Sequence, residues 1–365
     1  MNTNVTPDRI MQFAWGYAPT LIIQSALQHH IFDLLDQSPK TVDELAQATA
    51  ASKRGLTAIL NALVGLQFLA RSNRRYSLTP ESAAFLVSTK PGYHGAFFQH
   101  TLEQILPKWQ QLSEVVRSGK PVRAVNTQQQ GAEFFANFVE ALFPMGYPGA
   151  RALGEHLGLA GANGPVQVLD LAAGSGVWGI ALAQQAPNVR VTAVDWPVVL
   201  ETTKRVAARY GVADRLNTIA GDLLEADFGS GYQVAVLGHI LHSEGEKRSR
   251  QLLRKTFDAL APGGTIAIAE FLPNDERTGP PNALIFAVNM LVNTEEGDTF
   301  TFSEISHWLR ETGFTDPRQL EAPTPSPLIL ATKGRTSRTG RKPENRNPKA
   351  EGSPKSETRN PRQSE

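Results

Sequence analysis

The sequence contains no cysteine. That excludes disulfides and thiolate metal sites, and it removes any cysteine-based sign of an oxidising compartment. Long apolar runs are also missing, since nothing approaches the roughly 20 apolar residues that span a bilayer. The opening stretch, Met1 to Ile10, is polar and lacks the apolar core of a signal peptide. No His/Asp/Glu set has metal-ligand spacing. Net charge is small, +1, but unevenly placed. Ten of the 36 Lys/Arg and four of the 35 Asp/Glu lie from Lys333 onward, leaving 26 basic against 31 acidic residues in the rest. A mildly acidic body argues against a nucleic-acid-binding core. The expectation is a cytoplasmic protein with no membrane partner and no metal.

The chain has 365 residues, 41% of them hydrophobic, enough for two domains with sizeable cores. Residues 1–90 read as helices closed by a hairpin. Ala18 to Leu35 carries apolar residues at helical spacing. Thr41-Val-Asp-Glu44 has the pattern of a capping box, with Thr41 as N-cap and Glu44 reaching back. Ser52 opens a further helix whose buried face is Leu56, Ile59, Leu60, Leu63 and Leu66. Phe68-Leu-Ala and Tyr76-Ser-Leu flank a polar turn over Ser72 to Arg75, which predicts a short hairpin. Helix, helix, hairpin is a winged-helix pattern. Such units often bind DNA, but the Ser52 helix carries cations only at Lys53 and Arg54, and a recognition helix needs more. Its apolar helices exceed what one small domain can hide, which predicts a two-fold symmetric homodimer.

Residues 91–150 are rich in aromatics, including Phe97, Phe98, Trp109, Phe134, Phe135, Phe138 and Phe143, and form a helical connector able to line a ligand pocket. From Arg151 to residue 332 strands and helices alternate. Apolar strands are expected at Val166–Asp170, Val189–Asp195, Leu216–Ala220, Val234–Leu237 and Thr265–Glu270, with helical stretches at Gly179–Gln185, Val198–Tyr210 and Lys247–Leu260. That rhythm predicts a mostly parallel sheet covered on both faces, an α/β Rossmann-like domain. Residues 333–365 have almost nothing to bury and read as a disordered basic tail.

Ligands of such sheets bind at the carboxyl ends of the strands. Three features converge there: Asp170-Leu-Ala-Ala-Gly174-Ser-Gly176, Asp195 at the end of the second strand, and Gly221-Asp222-Leu223 after the third. Small residues let the first loop turn tightly and approach a ligand. A carboxylate at Asp195 can accept both hydroxyls of a ribose, and Asp222 or a backbone amide can meet an adenine edge. Gly174-x-Gly176-x-x-Gly179 also fits a dinucleotide fingerprint. Asp170 separates the two, because an acid before the loop suits a cationic amino-acid end and repels a pyrophosphate.

At these residues the chain resembles a known family. The segment from Val168 to Pro273 is similar to the class I methyltransferase core. More narrowly it resembles S-adenosylmethionine-dependent O-methyltransferases of the caffeic-acid and bacterial small-molecule type, which join a winged-helix dimerisation domain to a seven-stranded Rossmann-like domain. The likeness runs from about Arg9 to Lys333. It rests on Asp170 to Gly176, Val194-Asp-Trp-Pro197, Gly221-Asp222, Ile240-Leu-His242, Ala261-Pro-Gly-Gly264 and Ile266 to Glu270, with Ala14-Trp-Gly-Tyr-Ala18 near the start and Phe314 to Pro317 and Leu328 to Ala331 as closing strands.

The resemblance implies S-adenosylmethionine as cofactor. Asp170, Ala172, Gly174 and Gly176 would hold its methionine end, Asp195 the ribose, and Trp196, Asp222 and Leu223 the adenine. Gly238 and His239 would lie beside it. His242 would be the general base and Glu270 the acid that orients it, acting on the hydroxyl of a small aromatic or hydrophobic acceptor. Imidazole, with an ordinary pKa of about 6.5, can accept a proton near neutrality, and a carboxylate on its other nitrogen fixes the tautomer.

This chain departs from the family in places. Ser243-Glu-Gly-Glu246 follows the base where the family often has an acid and an aromatic. Thr299 occupies the position of the family's second orienting acid, leaving Glu295, Glu296 and Asp298 as alternatives. Gly238 stands where some plant members have a cation. Two other readings stay open: a cofactor-binding relative that catalyses something other than methylation, and a winged-helix DNA-binding regulator.

Overall fold

Capping residues mark where the N-terminal helices begin. In the computed structural model, which describes residues 5–125, 128–324 and 326–335, Thr41 Oγ1 accepts from Glu44 N at 3.3 Å, and Glu44 Oε2 accepts from Thr41 N at 2.6 Å. This is the expected capping box, and it opens helix Val42–Thr49. Such a cap stabilises a helix by about 1 kcal/mol. Ser52 caps helix Lys53–Gly65 in the same way, through Gly55 N at 3.1 Å. The stretch from Ala18 to Leu35, apolar at helical spacing, forms two helices, Tyr17–Gln28 and Ile31–Gln37. His30 sits between them at φ 53°, a left-handed conformation that helices do not carry.

Strand β1 (Lys40–Thr41) joins the expected hairpin of β2 (Leu69–Ser72) and β3 (Arg75–Leu78) in an antiparallel sheet of order β1-β3-β2. Ile31, Phe32, Leu56, Leu60, Leu63 and Tyr76 pack beneath it. Of the residues expected on the buried face, Ile59 is only partly buried and Leu66 is exposed. A short helix before this unit, Asp8–Ala14, buries none of its residues. Ile10, Phe13 and Trp15 are 72%, 74% and 64% exposed.

The large sheet has seven strands: β4 (Val166–Leu171), β5 (Val189–Asp195), β6 (Leu216–Ala220), β7 (Tyr232–Gly238), β8 (Leu260–Ala269), β9 (Phe314–Leu320) and β10 (Leu328–Lys333). Their order is β6-β5-β4-β7-β8-β10-β9. Pairs from β6 to β8 are parallel, and β10 is antiparallel to both β8 and β9. Alternation along each strand feeds two cores. In β4, Val168 joins the cluster on one face and Leu169 and Leu171 the cluster on the other.

The chain leaves β4 toward β5 and β6, then returns to the other side of β4 as β7. The carboxyl ends of β4 and β7 therefore form the switch point where open α/β sheets bind ligands. Helix Gln128–His156 runs without interruption through residue 150 and packs on helices Val177–Gln185 and Pro197–Arg209. Glu140 holds Arg205 and Arg209 at 2.9 and 2.6 Å across that contact. Lys333, placed in the tail by the sequence, instead closes β10. Its Nζ donates to the carbonyls of Phe257 and Leu260 at 2.6 and 2.7 Å. From residue 336 the basic tail lies outside the described residues.

Candidate active site

The loop after β4 turns through three left-handed residues, Ala172 at φ 53°, Gly174 at 57° and Gly176 at 77°. Gly176 is the N-cap of helix Val177–Gln185. The turn brings Gly174 N within 2.9 Å of Asp195 Oδ2, and Trp196 N donates to Asp195 Oδ1 at 2.7 Å. Burial raises Asp195 to about 6, with both backbone donors pulling the other way. Asp170 is fully buried beneath the loop. Its Oδ2 accepts from Gly179 N at 2.9 Å, and its Oδ1 has no partner. Burial lifts it to about 7, the Gly179 N–H pulls it down, and the Asp195 charge adds to the rise.

A cavity of about 760 Å³ opens beside this loop. Ala172, Gly174, Asp195, Trp196, Asp222, Leu223, Gly238, His239 and His242 all line it, so nine sequence-expected residues from four separate segments meet in one space. Asp170, Gly176 and Glu270 do not. Asp170 is completely buried beneath the loop. Its bond to Gly179 N ties the loop to the helix that follows. Gly176 makes the turn, and Glu270 lies behind His242. The carboxylate of Asp222 is held by Arg248 at 2.9 and 3.1 Å and by Leu224 N at 2.8 Å.

The charge at the loop end fits the cofactor implied above. Two carboxylates raised by burial stand together, one with an orphaned oxygen, and no side-chain cation contributes to the shift of either. Such a site favours a cationic ligand and disfavours a pyrophosphate. No group of His, Asp and Glu able to hold a metal exists among the described residues.

His242 lies in the first turn of helix Leu241–Ala259. Its Nδ1 is 2.7 Å from Glu270 Oε2, and its backbone N donates to Glu270 Oε1 at 3.3 Å. Burial pushes Glu270 up, but the charge and hydrogen bond of His242 outweigh it, and the carboxyl ends below its ordinary value. An ionised acid can only accept, so Nδ1 carries the proton of this pair and Nε2 is left with its lone pair. The edge of His242 meets Phe286 at 4.9 Å between centroids.

Gly245, at φ 72°, breaks that helix one turn after His242, and a Cβ there would stand 2.7 Å from Glu296 O. The loop of residues 294–298 packs against this break, and Asp298 N donates to His242 O at 2.9 Å. It thus grips the backbone of His242. Glu295 and Glu296 are exposed, and Asp298 faces Arg277 at 3.8 Å. None of the three bonds to the His242 ring. Thr299 is buried with Oγ1 unpartnered.

His239 is lowered to about 4, by burial first. Its Nε2 is 2.6 Å from Ser326 Oγ. It is therefore neutral at physiological pH. Gly238 is required by Trp178, whose Nε1 would be 2.1 Å from a Cβ at that position. Trp178 lines the cavity, as do Phe271, Phe286, Asn289 and Met290. The sequence reading missed all five. Trp178 reads as one more apolar residue of a buried helix, and helix Pro281–Asn293 carries no motif.

The comparisons with known proteins follow from this geometry. The O-methyltransferase domain family matches residues 155–315, and the O-methyltransferase dimerisation domain family matches residues 11–88. A curated relative from Streptomyces sahachiroi, 3-hydroxy-5-methyl-1-naphthoate 3-O-methyltransferase, is 30% identical over 87% of this chain and 92% of its own. A solved structure from Nostoc punctiforme, assigned as an O-methyltransferase, superposes with a TM-score of 0.82 at 31% identity, covering 91% of this chain and 100% of that one. Human N-acetylserotonin methyltransferase, solved with S-adenosylmethionine, shares the fold with a TM-score of 0.78 at 22% identity, over 92% and 99% of the two chains.

Proposed function

The chain belongs to the S-adenosylmethionine-dependent O-methyltransferase family, and from that membership we propose that it methylates a hydroxyl of a small, flat, hydrophobic metabolite with His242 as general base. The observation that carries this reading is the His242–Glu270 pair, 2.7 Å apart, at the wall of the cavity that also holds Gly174 and Asp195. Bound S-adenosylmethionine supplies an electrophilic methyl group on a sulfonium. Gly174, Asp195, Trp196 and Leu223 would hold it, with Asp170 contributing negative field from below. His242 Nε2 takes the proton of the acceptor hydroxyl, and Glu270 fixes the tautomer and stabilises the imidazolium. Phe271 and Phe286 hold the acceptor ring flat against the base, so that positioning lowers the barrier. The naphthoate acceptor named for the Streptomyces relative supports a fused aromatic acceptor here.

In this reading residues 1–90 form the dimerisation unit, 91–150 a connector that walls the acceptor, and 151–332 the cofactor domain. The exposed Ile10, Phe13 and Trp15 support a homodimer through the first helix. No described helix is long and apolar enough to cross a membrane. The test is calorimetry with S-adenosylhomocysteine beside methylation of a panel of hydroxylated aromatics. Binding in the micromolar range, about −8 kcal/mol, should vanish in Asp195→Ala. His242→Ala should keep that binding and lose roughly 10²–10⁴ in turnover. Wild-type turnover in His242→Ala removes the general-base assignment.

A further inference from the structure

A second cavity, about 490 Å³, adjoins the first and shares Val125 and Phe134 with it. Two cations face it, Lys108 and Arg123. Lys108 is half-buried. Its Nζ donates to Asn293 Oδ1 at 2.9 Å and lies 4.9 Å above the Phe134 ring, and neither neighbour is charged. Arg123 is exposed at the rim, with no ion-pair partner among the described residues. Burial and the Arg123 charge both push the Lys108 ammonium below its ordinary value, and no carboxylate among the described residues opposes them. The carboxylate in this lining, Glu103, is exposed and accepts from Gln99 at 3.0 Å. Beneath Lys108, His100 is buried with Nε2 unpartnered, stacked 3.5 Å from Phe138 between ring centroids. Burial and the Lys108 charge lower it to about 4, so it is neutral and free to accept or donate one bond. Two like charges thus converge on a partly desolvated space, and among the described residues no carboxylate bonds to either, a costly arrangement unless an anion completes it.

Helix Pro281–Asn293 measures how far this site lies from the chemistry. Phe286 touches the His242 ring, Asn289 Oδ1 accepts from Trp109 Nε1 at 3.0 Å, and Asn293 holds Lys108. Phe286 and Asn293 are two turns apart, roughly 10 Å along the axis. We propose that the acceptor carries a carboxylate, bound by Lys108 and Arg123 on the order of 10 Å from the hydroxyl offered to His242, as in a hydroxylated fused-ring aromatic acid. The inference rests on the reading of His242 as facing the acceptor hydroxyl.

The probes are 6-hydroxy-2-naphthoate and its methyl ester, titrated into the full chain saturated with S-adenosylhomocysteine at fixed ionic strength. The acid should bind at least about tenfold tighter than the ester. Lys108→Met should abolish that preference, Lys108→Arg should retain it, and Arg123→Gln should reduce it severalfold. The ester should bind all variants alike, which separates lost anion recognition from lost folding. Millimolar acetate should not displace the acid. Competition by acetate at that level reassigns the cavity to a free anion and overturns the proposal. Equal affinity for acid and ester, a preference that survives Lys108→Met, or binding of neither probe overturns it as well. If the preference holds but no methyl transfer occurs on any acceptor, the reading of the reaction fails and this subsite stands.

Discussion

Replacing Glu270 by Gln tests the proposed mechanism with the least disturbance of shape. The carboxylate is 2% exposed and touches His242 at two points, ring and backbone. Glutamine keeps the volume but loses the charge. Two unit charges about 4 Å apart interact by about 4 kcal/mol at an effective dielectric of 20. That is the stabilisation withdrawn from the imidazolium, roughly 10³-fold in rate. Glutamine also presents an N–H₂ group to one of two His242 donors. If it faces the ring, it selects the tautomer whose Nε2 already carries a proton. The expected loss in kcat is therefore about 10²–10⁴, with S-adenosylhomocysteine affinity unchanged because Glu270 does not line the cavity. Initial rates with methyl-labelled cofactor, beside calorimetry on the same preparation, read both quantities. Turnover within threefold of the wild type would show that Glu270 does not act through His242. A parallel loss of cofactor affinity would show that the substitution disturbs the loop rather than the base.

Three further outcomes are expected. Ribose hydroxyls donate to a carboxylate, so ionised Asp195 is the binding form. Burial raises it to about 6, hence affinity for S-adenosylhomocysteine should be flat above that pH and fall about tenfold per unit below it. Asp170→Asn separates the contribution of the neighbour raised to about 7, and a flat profile from pH 5 to 8 contradicts the assignment of Asp195. Gly238→Ala forces a Cβ to 2.1 Å from Trp178 Nε1 and should lower stability by about 1–3 kcal/mol in urea denaturation, whereas Gly164→Ala, where a Cβ meets nothing and φ is not left-handed, serves as the control. Finally, Phe13→Asp with Trp15→Asp should dissociate a dimer held by the first helix without unfolding the chain, since neither side chain is buried. Sedimentation showing an intact dimer would move the interface elsewhere.

Much of the scaffold was legible because it depends on neighbours in sequence. Thr41 with Glu44, and Ser52 with Gly55, are local hydrogen bonds that the pattern of residues announces. The apolar strands ending in Asp170 and Asp195 read directly, because a strand buried on both faces has to be apolar throughout. The break at His30 was not legible, because helical periodicity continues across it and only the backbone turn reveals it.

The site divides differently. The glycine loop and Asp195 could be placed from motifs that follow strands, since parallel strands bring their carboxyl ends to one edge, and the His242–Glu270 pair from the family resemblance. Which side of a loop a carboxylate faces is another matter. Asp170 lies under its loop and Asp195 at the cavity wall because packing around Gly179 and Gly174 turns them so. The segment with Glu295, Glu296 and Asp298 offered three acids in the right stretch of chain, yet the kink at Gly245 brings its backbone, and not its carboxylates, to His242. Lys108 and Asn293 are 185 positions apart and meet across the cavity.

The sequence by itself therefore determined the succession of strands and helices and the residue types at the glycine loop, which follow from local propensity and alternation, and it carried the family as a resemblance of motifs. Tertiary structure alone decided which acids reach the cavity, why Gly238 must lack a side chain, and that Lys108 and Arg123 face one space beside it. Those properties arise where distant segments exclude water from one another, and no spacing along the chain records that.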